Sequence, residues 1–169
     1  MAQGGATTKE SGMNCEDELQ LCVRQQLDQL ADETGDARLR RFHHSPNGGR
    51  RSKREGAVFR GMGVRPGFPD LIYPAPVGGY AGVAFELKTA SGRLSDEQRD
   101  WLAWLESQGY RVAVPRSVAE VLGIVSEVFG LGIHPQVLEN RAAMIDAAGC
   151  WTKKNSPRIR DLTARKLRV

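Results

Sequence analysis

The sequence predicts an α/β fold: a small four-stranded mixed sheet flanked by helices. Three observations predict it. Apolar residues recur at helical spacing from Cys15 to about Ala31. Short apolar runs, "DLIY", "GVAFELK" and "YRVAV", read as strands. Two capping signatures, "LSDEQ" and "RSVAE", open helices after the later strands. A chain of 169 residues with 40% hydrophobic content suits one domain with a core and is too short for two of ordinary size.

In the first helix Cys15, Leu19, Cys22, Val23, Leu27 and Leu30 share one face. At about 100° per residue, Glu16 falls inside that stripe, Asp17 points away and Glu18 lies off its centre. An acid on a core face needs a reason: Glu16 either serves a site or complements the dipole of the first turn with its carboxylate in water. Residues 1–14, rich in Gly, Thr and Ser, read as disordered. Arg40 to His44 reads as a short strand, Pro46 to Gly49 as a turn, and Arg50 to about Met62 as a basic helix stopped by Gly61 and Gly63. Two strands follow, joined by "PAPVGGYA". Ser95 caps a helix that runs to about Gln108, "YRVAV" adds a strand, and Ser117 with Glu120 opens a capping-box helix to about Phe129. The segment "HPQVLENRAAMIDAAGC" adds a helix, so residues 15–129 read as the domain and 130–169 as a helical and basic extension.

Charge is unevenly distributed. Residues 1–36 hold eight acids against Lys9 and Arg24, whereas Arg38 to Arg65 hold nine Lys and Arg against Glu55 alone. Residues 151–169 hold seven more basic residues against Asp161. Two basic blocks suit an anionic polymer, and nucleic acid fits better than a membrane because neither block reads as an amphipathic surface helix. The alternative is solvated faces or a disordered tail. Arg50, Arg51, Lys53 and Arg54 follow a Gly-rich turn at a helix start, where backbone N–H groups and cations favour phosphate. Cys15, Cys22 and Cys150 are odd in number and lack zinc spacing, so neither a disulfide framework nor structural zinc is expected, and a reducing interior fits. Without an apolar leader or an 18-residue apolar run, the chain is expected to be soluble and cytoplasmic.

The candidate chemistry lies in "GFPDLIYPAPVGGYAGVAFELKTASGRLSDEQ". On a strand Glu86 and Lys88 project together while Phe85 and Leu87 face the other way. A hairpin pairing of the two strands brings Asp70 beside Glu86. Two adjacent carboxylates repel unless a cation neutralises them. Hard oxygen ligands suit magnesium, with manganese as a substitute. Lys88 would then stabilise charge at phosphorus or orient a water, which describes metal-assisted phosphodiester hydrolysis.

These residues carry a resemblance. Pro69-Asp70 with Glu86-Leu87-Lys88 resembles the PD-(D/E)xK nuclease motif, and "SPNGGRR", "GMGVRPGFPDLIYP" and "AFELKTASGRLSDEQRDWLAWLESQGYRVAV" together resemble the VRR-NUC family, particularly its stand-alone phage and prophage members. The resemblance implies a restriction-endonuclease-like core and a DNA endonuclease that favours branched, flapped or Holliday-junction DNA in replication, recombination or repair. It implies Asp70, Glu86, Glu16 and the Leu87 carbonyl as metal ligands and Lys88 as the catalytic lysine. Glu16 is the acid placed four residues before Gln20, and Gln98 is a further site residue, competing with its capping-box role. Asn47 of the Asn-Gly-Gly turn joins the basic cluster as a nucleic-acid contact. A junction resolvase needs two sites, which implies a homodimer.

Other readings stand beside this one. The chain could be a DNA-binding protein that keeps the fold without catalysis, or a nuclease with a restriction or end-processing role. His43 and His44 lack the context of a His-metal nuclease and fit a strand-end or DNA-proximal role better. Trp101 and Trp104, at helical spacing, are assigned no function.

Overall fold

The computed structural model describes the backbone of residues 15–45 and 53–148, and side chains within 16–45 and 55–143. The expected disordered start, the turn at Pro46 to Gly49, Asn47, Arg50, Arg51, the side chains of Lys53 and Arg54, and the basic tail lie outside the described residues.

Helix α1 spans Cys15–Thr34. It outlasts the expected end near Ala31 and stops where Gly35 takes a φ of 71°, the left-handed region that favours glycine. Its apolar stripe, with Val23 and Leu27 fully buried, packs into the core. A 3₁₀ helix, Ala37–Arg41, follows, capped by Asp36, so the expected strand at Arg40 shrinks to β1, His43–His44. Helix α2, Lys53–Gly61, precedes β2, Leu71–Tyr73, and β3, Val83–Phe85. Helix α3, Asp96–Ser107, leads to β4, Arg111–Ala113, then α4, Val118–Phe129, and α5, Pro135–Ala148. The expected helix after residue 133 is therefore present, with Leu138 and Ala142 buried.

The α/β class and the four-stranded mixed sheet stand as expected. Strand order is β1-β2-β3-β4, with β3 and β4 parallel across the α3 crossover and the other pairs antiparallel. Alternation divides the strands between two faces. Leu71, Tyr73, Val83, Phe85 and Leu87 enter the core with α1 and α4, and Phe42 stacks on Phe85 at 5.8 Å between centroids. Ala84 faces the other way, toward the side where α3 buries Leu102 and Leu105. Ser117 caps α4 by accepting from Glu120 N at 3.2 Å, but the expected capping box is incomplete. Glu120 accepts the N–H of Arg116 at 2.9 Å rather than that of Ser117.

One expectation needs correction. Part of the first basic block is already neutralised. Arg38 pairs with Asp36 at 2.6 Å and lies over the Phe129 ring, and Arg40 pairs with Asp28 and Asp32. These arginines join the 3₁₀ helix to its neighbours. Cys22, buried on α1, is disulfide-bonded. Among the described residues no helix is long and apolar enough to cross a membrane.

Candidate active site

The acids sit just beyond the strand ends, not within them. Asp70 precedes β2 and Glu86 follows β3. The register that pairs Leu71 with Phe85 sets Asp70 opposite Glu86 one step further on. Pairing with the β4 side continues past β3: Glu86 N donates to Ala113 O at 3.1 Å and Lys88 N to Pro115 O at 3.2 Å. Glu86 and Lys88 are thereby held on one face by backbone bonds outside the regular strand.

Asp70 is fixed from three sides. Its carbonyl accepts the Ser45 amide at 2.9 Å and lies 3.0 Å from His44 Nδ1, while its Oδ2 accepts the Leu87 amide at 2.8 Å. The segment leading into it is pinned to α3. Gly67 has a φ of +80°, and a Cβ there would stand 2.5 Å from the Glu97 carbonyl carbon, so only glycine lets the loop lie this close. Trp101 Nε1 donates to Pro66 O at 3.0 Å, and Phe68 meets the Trp101 ring edge to face at 5.0 Å. Burial raises the Asp70 carboxyl above its usual range, against the Leu87 hydrogen bond and the Lys88 charge.

Glu86 is 1% exposed. Its Oε1 accepts Lys88 Nζ at 2.7 Å and also Gln98 Nε2, whereas its buried Oε2 has no hydrogen-bond partner. Burial pushes its carboxyl up to about 7. Asp70 and Glu16 add to the rise, and Lys88 opposes it. Lys88 Nζ also lies 3.8 Å from Glu16 Oε1, so Glu16 and Glu86 flank one ammonium. Glu16 is half-buried while Asp17 and Glu18 are exposed, the order that the helical wheel predicts. Gln20 is also half-buried.

Gln98 corrects an expectation. Capping and site contact were set as alternatives, yet it makes both, because a carboxamide has an acceptor at one end and donors at the other. Its Oε1 accepts Ser95 N at 2.9 Å, its own N–H donates to Ser95 Oγ at 3.2 Å, and its Nε2 reaches Glu86. Capping box and site share one side chain.

The structure thus brings Glu16, Asp70, Glu86, Leu87, Lys88 and Gln98 together, with Leu87 meeting Asp70 through its amide. Among the described residues, no group of three or more His, Cys, Asp or Glu side chains converges closely enough for a cation. The acids come instead as a pair at paired strand ends, with Glu16 across the ammonium. Sequence reasoning missed Gly67 and Trp101, which hold the approach to Asp70 in place, and Arg116, which holds the turn after Lys88. The Gly-x-Pro-Asp spacing was the available signal for Gly67. His44 occupies the strand-end role, one of the two expected for it.

A Pro-Asp and a Glu-x-Lys carried to adjacent ends of a mixed sheet define a PD-(D/E)xK nuclease core. The chain belongs to the VRR-NUC domain family, whose model matches residues 19–119. The match begins just after Glu16. A solved VRR_NUC domain protein is 27% identical, with the likeness covering 72% of this chain and 93% of that one at a TM-score of 0.57. No curated protein matches. Family membership makes the chain a nuclease-type, DNA-processing protein.

Proposed function

We propose that the chain is a divalent-metal-dependent DNA endonuclease that hydrolyses phosphodiester bonds, with magnesium as the ion and manganese as a substitute. One observation carries this reading. A glutamate with 1% exposure holds an unpartnered Oε2 beside a second, half-buried carboxyl, and desolvation holds both above their usual range. A buried acceptor without a donor is costly unless something else satisfies it.

The donor set fits a hard cation. Magnesium keeps several waters and needs only one or two carboxylates plus phosphate oxygens, so Asp70 and Glu86 suffice and the lack of a three-acid cluster is no obstacle. Asp70, Glu86 and the Leu87 carbonyl would hold the ion, with Glu16 completing the acidic site across Lys88. When bound, the ion supplies Lewis acidity toward phosphate. Lys88, already an ammonium donor within this pocket, stabilises negative charge that develops at phosphorus. Gln98 orients the Glu86 carboxylate. Asn47, Arg50, Arg51, Lys53 and Arg54 contact the DNA backbone.

The preference for branched DNA, the homodimer and the setting in phage or bacterial replication, recombination or repair rest on likeness to the stand-alone family members. Incubation with labelled four-way junctions, flaps and linear duplex, with and without magnesium, tests the reading. Magnesium-dependent cutting of branched substrates is expected. Salt-sensitive binding without cutting of any DNA would leave a DNA-binding protein that retains the fold.

A further inference from the structure

The turn after Lys88 is held by a cation from another part of the chain. Gly92 N donates to Thr89 O at 3.1 Å and closes the turn. Arg116 Nη1, three residues beyond the end of β4, directs its two N–H groups at three carbonyl oxygens of that turn, one of them shared: Thr89, Ala90 at 3.2 Å and Gly92 at 3.0 Å. Three carbonyl dipoles aimed at one point repel each other, and a guanidinium there turns the repulsion into attraction.

The inner side of this turn is a wall of the site. A methyl group on Gly92 would stand 3.2 Å from Glu16 Oε1, 3.2 Å from Lys88 Cδ and 3.1 Å from Thr89 Oγ1. The backbone therefore lies against both charged side chains. The Lys88 to Glu16 contact, at 3.8 Å, is longer than a hydrogen bond and responds most readily to movement of that wall. Pro115, whose carbonyl accepts the Lys88 amide, is the residue before Arg116, so one short segment positions both the lysine backbone and the turn.

We propose that Arg116 is a positioning residue of the active site: by gathering the Thr89, Ala90 and Gly92 carbonyls it holds the turn against Glu16 and Lys88, and so sets where the ammonium stands relative to the carboxylates. The proposal rests on the nuclease reading above, and two measurements on the full chain separate the two. The first is amide hydrogen exchange at residues 89–92 without metal or DNA. The second is steady-state cleavage of labelled branched DNA with magnesium. Arg116→Ala is expected to speed exchange at Gly92 about tenfold and to lower kcat about 10- to 100-fold with KM within about twofold. Arg116→Lys returns a cation to the same carbonyls and recovers most of the rate. Gly92→Ala presses on Glu16 and Lys88 with Arg116 intact, and lowers kcat without speeding exchange. If Arg116→Ala does not fold, the other two variants decide. Unchanged exchange, a loosened turn with parental kcat, or a raised KM at parental kcat would each overturn the positioning role; so would Gly92→Ala at the parental rate. A parent chain that cuts no DNA fails the nuclease reading instead, and the exchange measurement alone then upholds or overturns the clamp.

Discussion

Gln98 donates from Nε2 to Oε1 of Glu86 while its own Oε1 accepts the Ser95 amide, so the first turn of α3 and a candidate metal ligand are held by one carboxamide. Gln98→Glu separates the two tasks. Glutamate still accepts the Ser95 amide, so the cap survives. The donor to Glu86 is replaced by an acceptor that carries charge, which disfavours the ionised Glu86. Cleavage should fall about tenfold or more, and the acidic limb of the pH–rate profile should move to higher pH. Gln98→Ala loses the cap as well and should cost about 1 kcal/mol. Melting curves and pH–rate profiles for both variants check this; a parental profile in Gln98→Glu would remove the contact from any part in catalysis.

The raised Glu86 carboxyl predicts how stability depends on pH. In the folded chain it titrates at about 7, against 4.5 in its ordinary setting. Between those values the folded chain keeps a proton that the unfolded chain has released. The metal-free protein should therefore lose stability as pH rises from about 4.5 to about 7 and level off above that. The loss is roughly 3 kcal/mol at most, and Asp70, also raised, acts in the same direction. Urea unfolding in chelator across this range measures it. Glu86→Gln, which carries no charge to bury, should flatten most of the slope. Added magnesium should restore stability at pH 8 in the parent and not in the variant.

Local patterns made much of this site legible. The apolar spacing of α1 singled out Glu16 from Asp17 and Glu18, and only Glu16 reaches Lys88. Strand alternation put Glu86 with Lys88, and hairpin pairing put Asp70 beside Glu86. What stayed hidden depends on contacts between distant segments. Counting charge along the chain gave a basic block at Arg38 and Arg40, but their acidic partners lie on and just after α1. Along the sequence Arg116 is one more residue before a cap, because nothing local shows that the carbonyls of Thr89, Ala90 and Gly92 turn toward it. Gln98 was assigned one task because a helical wheel gives a direction and not the two ends of an amide.

Asp70 allows a test that separates charge from structure. Its Oδ2 accepts the Leu87 amide at 2.8 Å, and asparagine can keep that bond through its own carbonyl oxygen. Asp70→Asn should fold with parental stability and bind DNA as the parent does, yet lose cleavage about 1000-fold or more. Asp70→Ala should lose cleavage equally and in addition strand the Leu87 N–H, at a cost of about 1–3 kcal/mol. Cleavage assays, DNA-binding titrations and melting curves on the pair check both halves. Parental cutting by either variant would show that Asp70 is not part of the reactive centre.

Gly67 tests whether the approach to Asp70 matters as much as the aspartate itself. Alanine would need to adopt a φ of +80° and place a methyl carbon 2.5 Å from the Glu97 carbonyl carbon and 2.7 Å from Gln98 N. Neither contact is with a flexible side-chain tip, so the loop or the start of α3 must move. Since α3 carries Gln98, and the loop runs straight into Asp70, such a shift moves Asp70 or draws Gln98 away from Glu86. Gly67→Ala should cost about 2 kcal/mol or more and reduce cleavage more than an equally destabilising change far from the site. Trp101→Phe is the milder counterpart: it keeps an aromatic ring beside Phe68 but drops the bond to Pro66 O. Its cost should be about 1 kcal/mol, with a smaller loss of rate. Comparing kcat with unfolding free energy for these two and for Ala142→Gly in α5 would show the coupling. If all three fall on one line of rate against stability, the loop has no positioning role beyond keeping the chain folded.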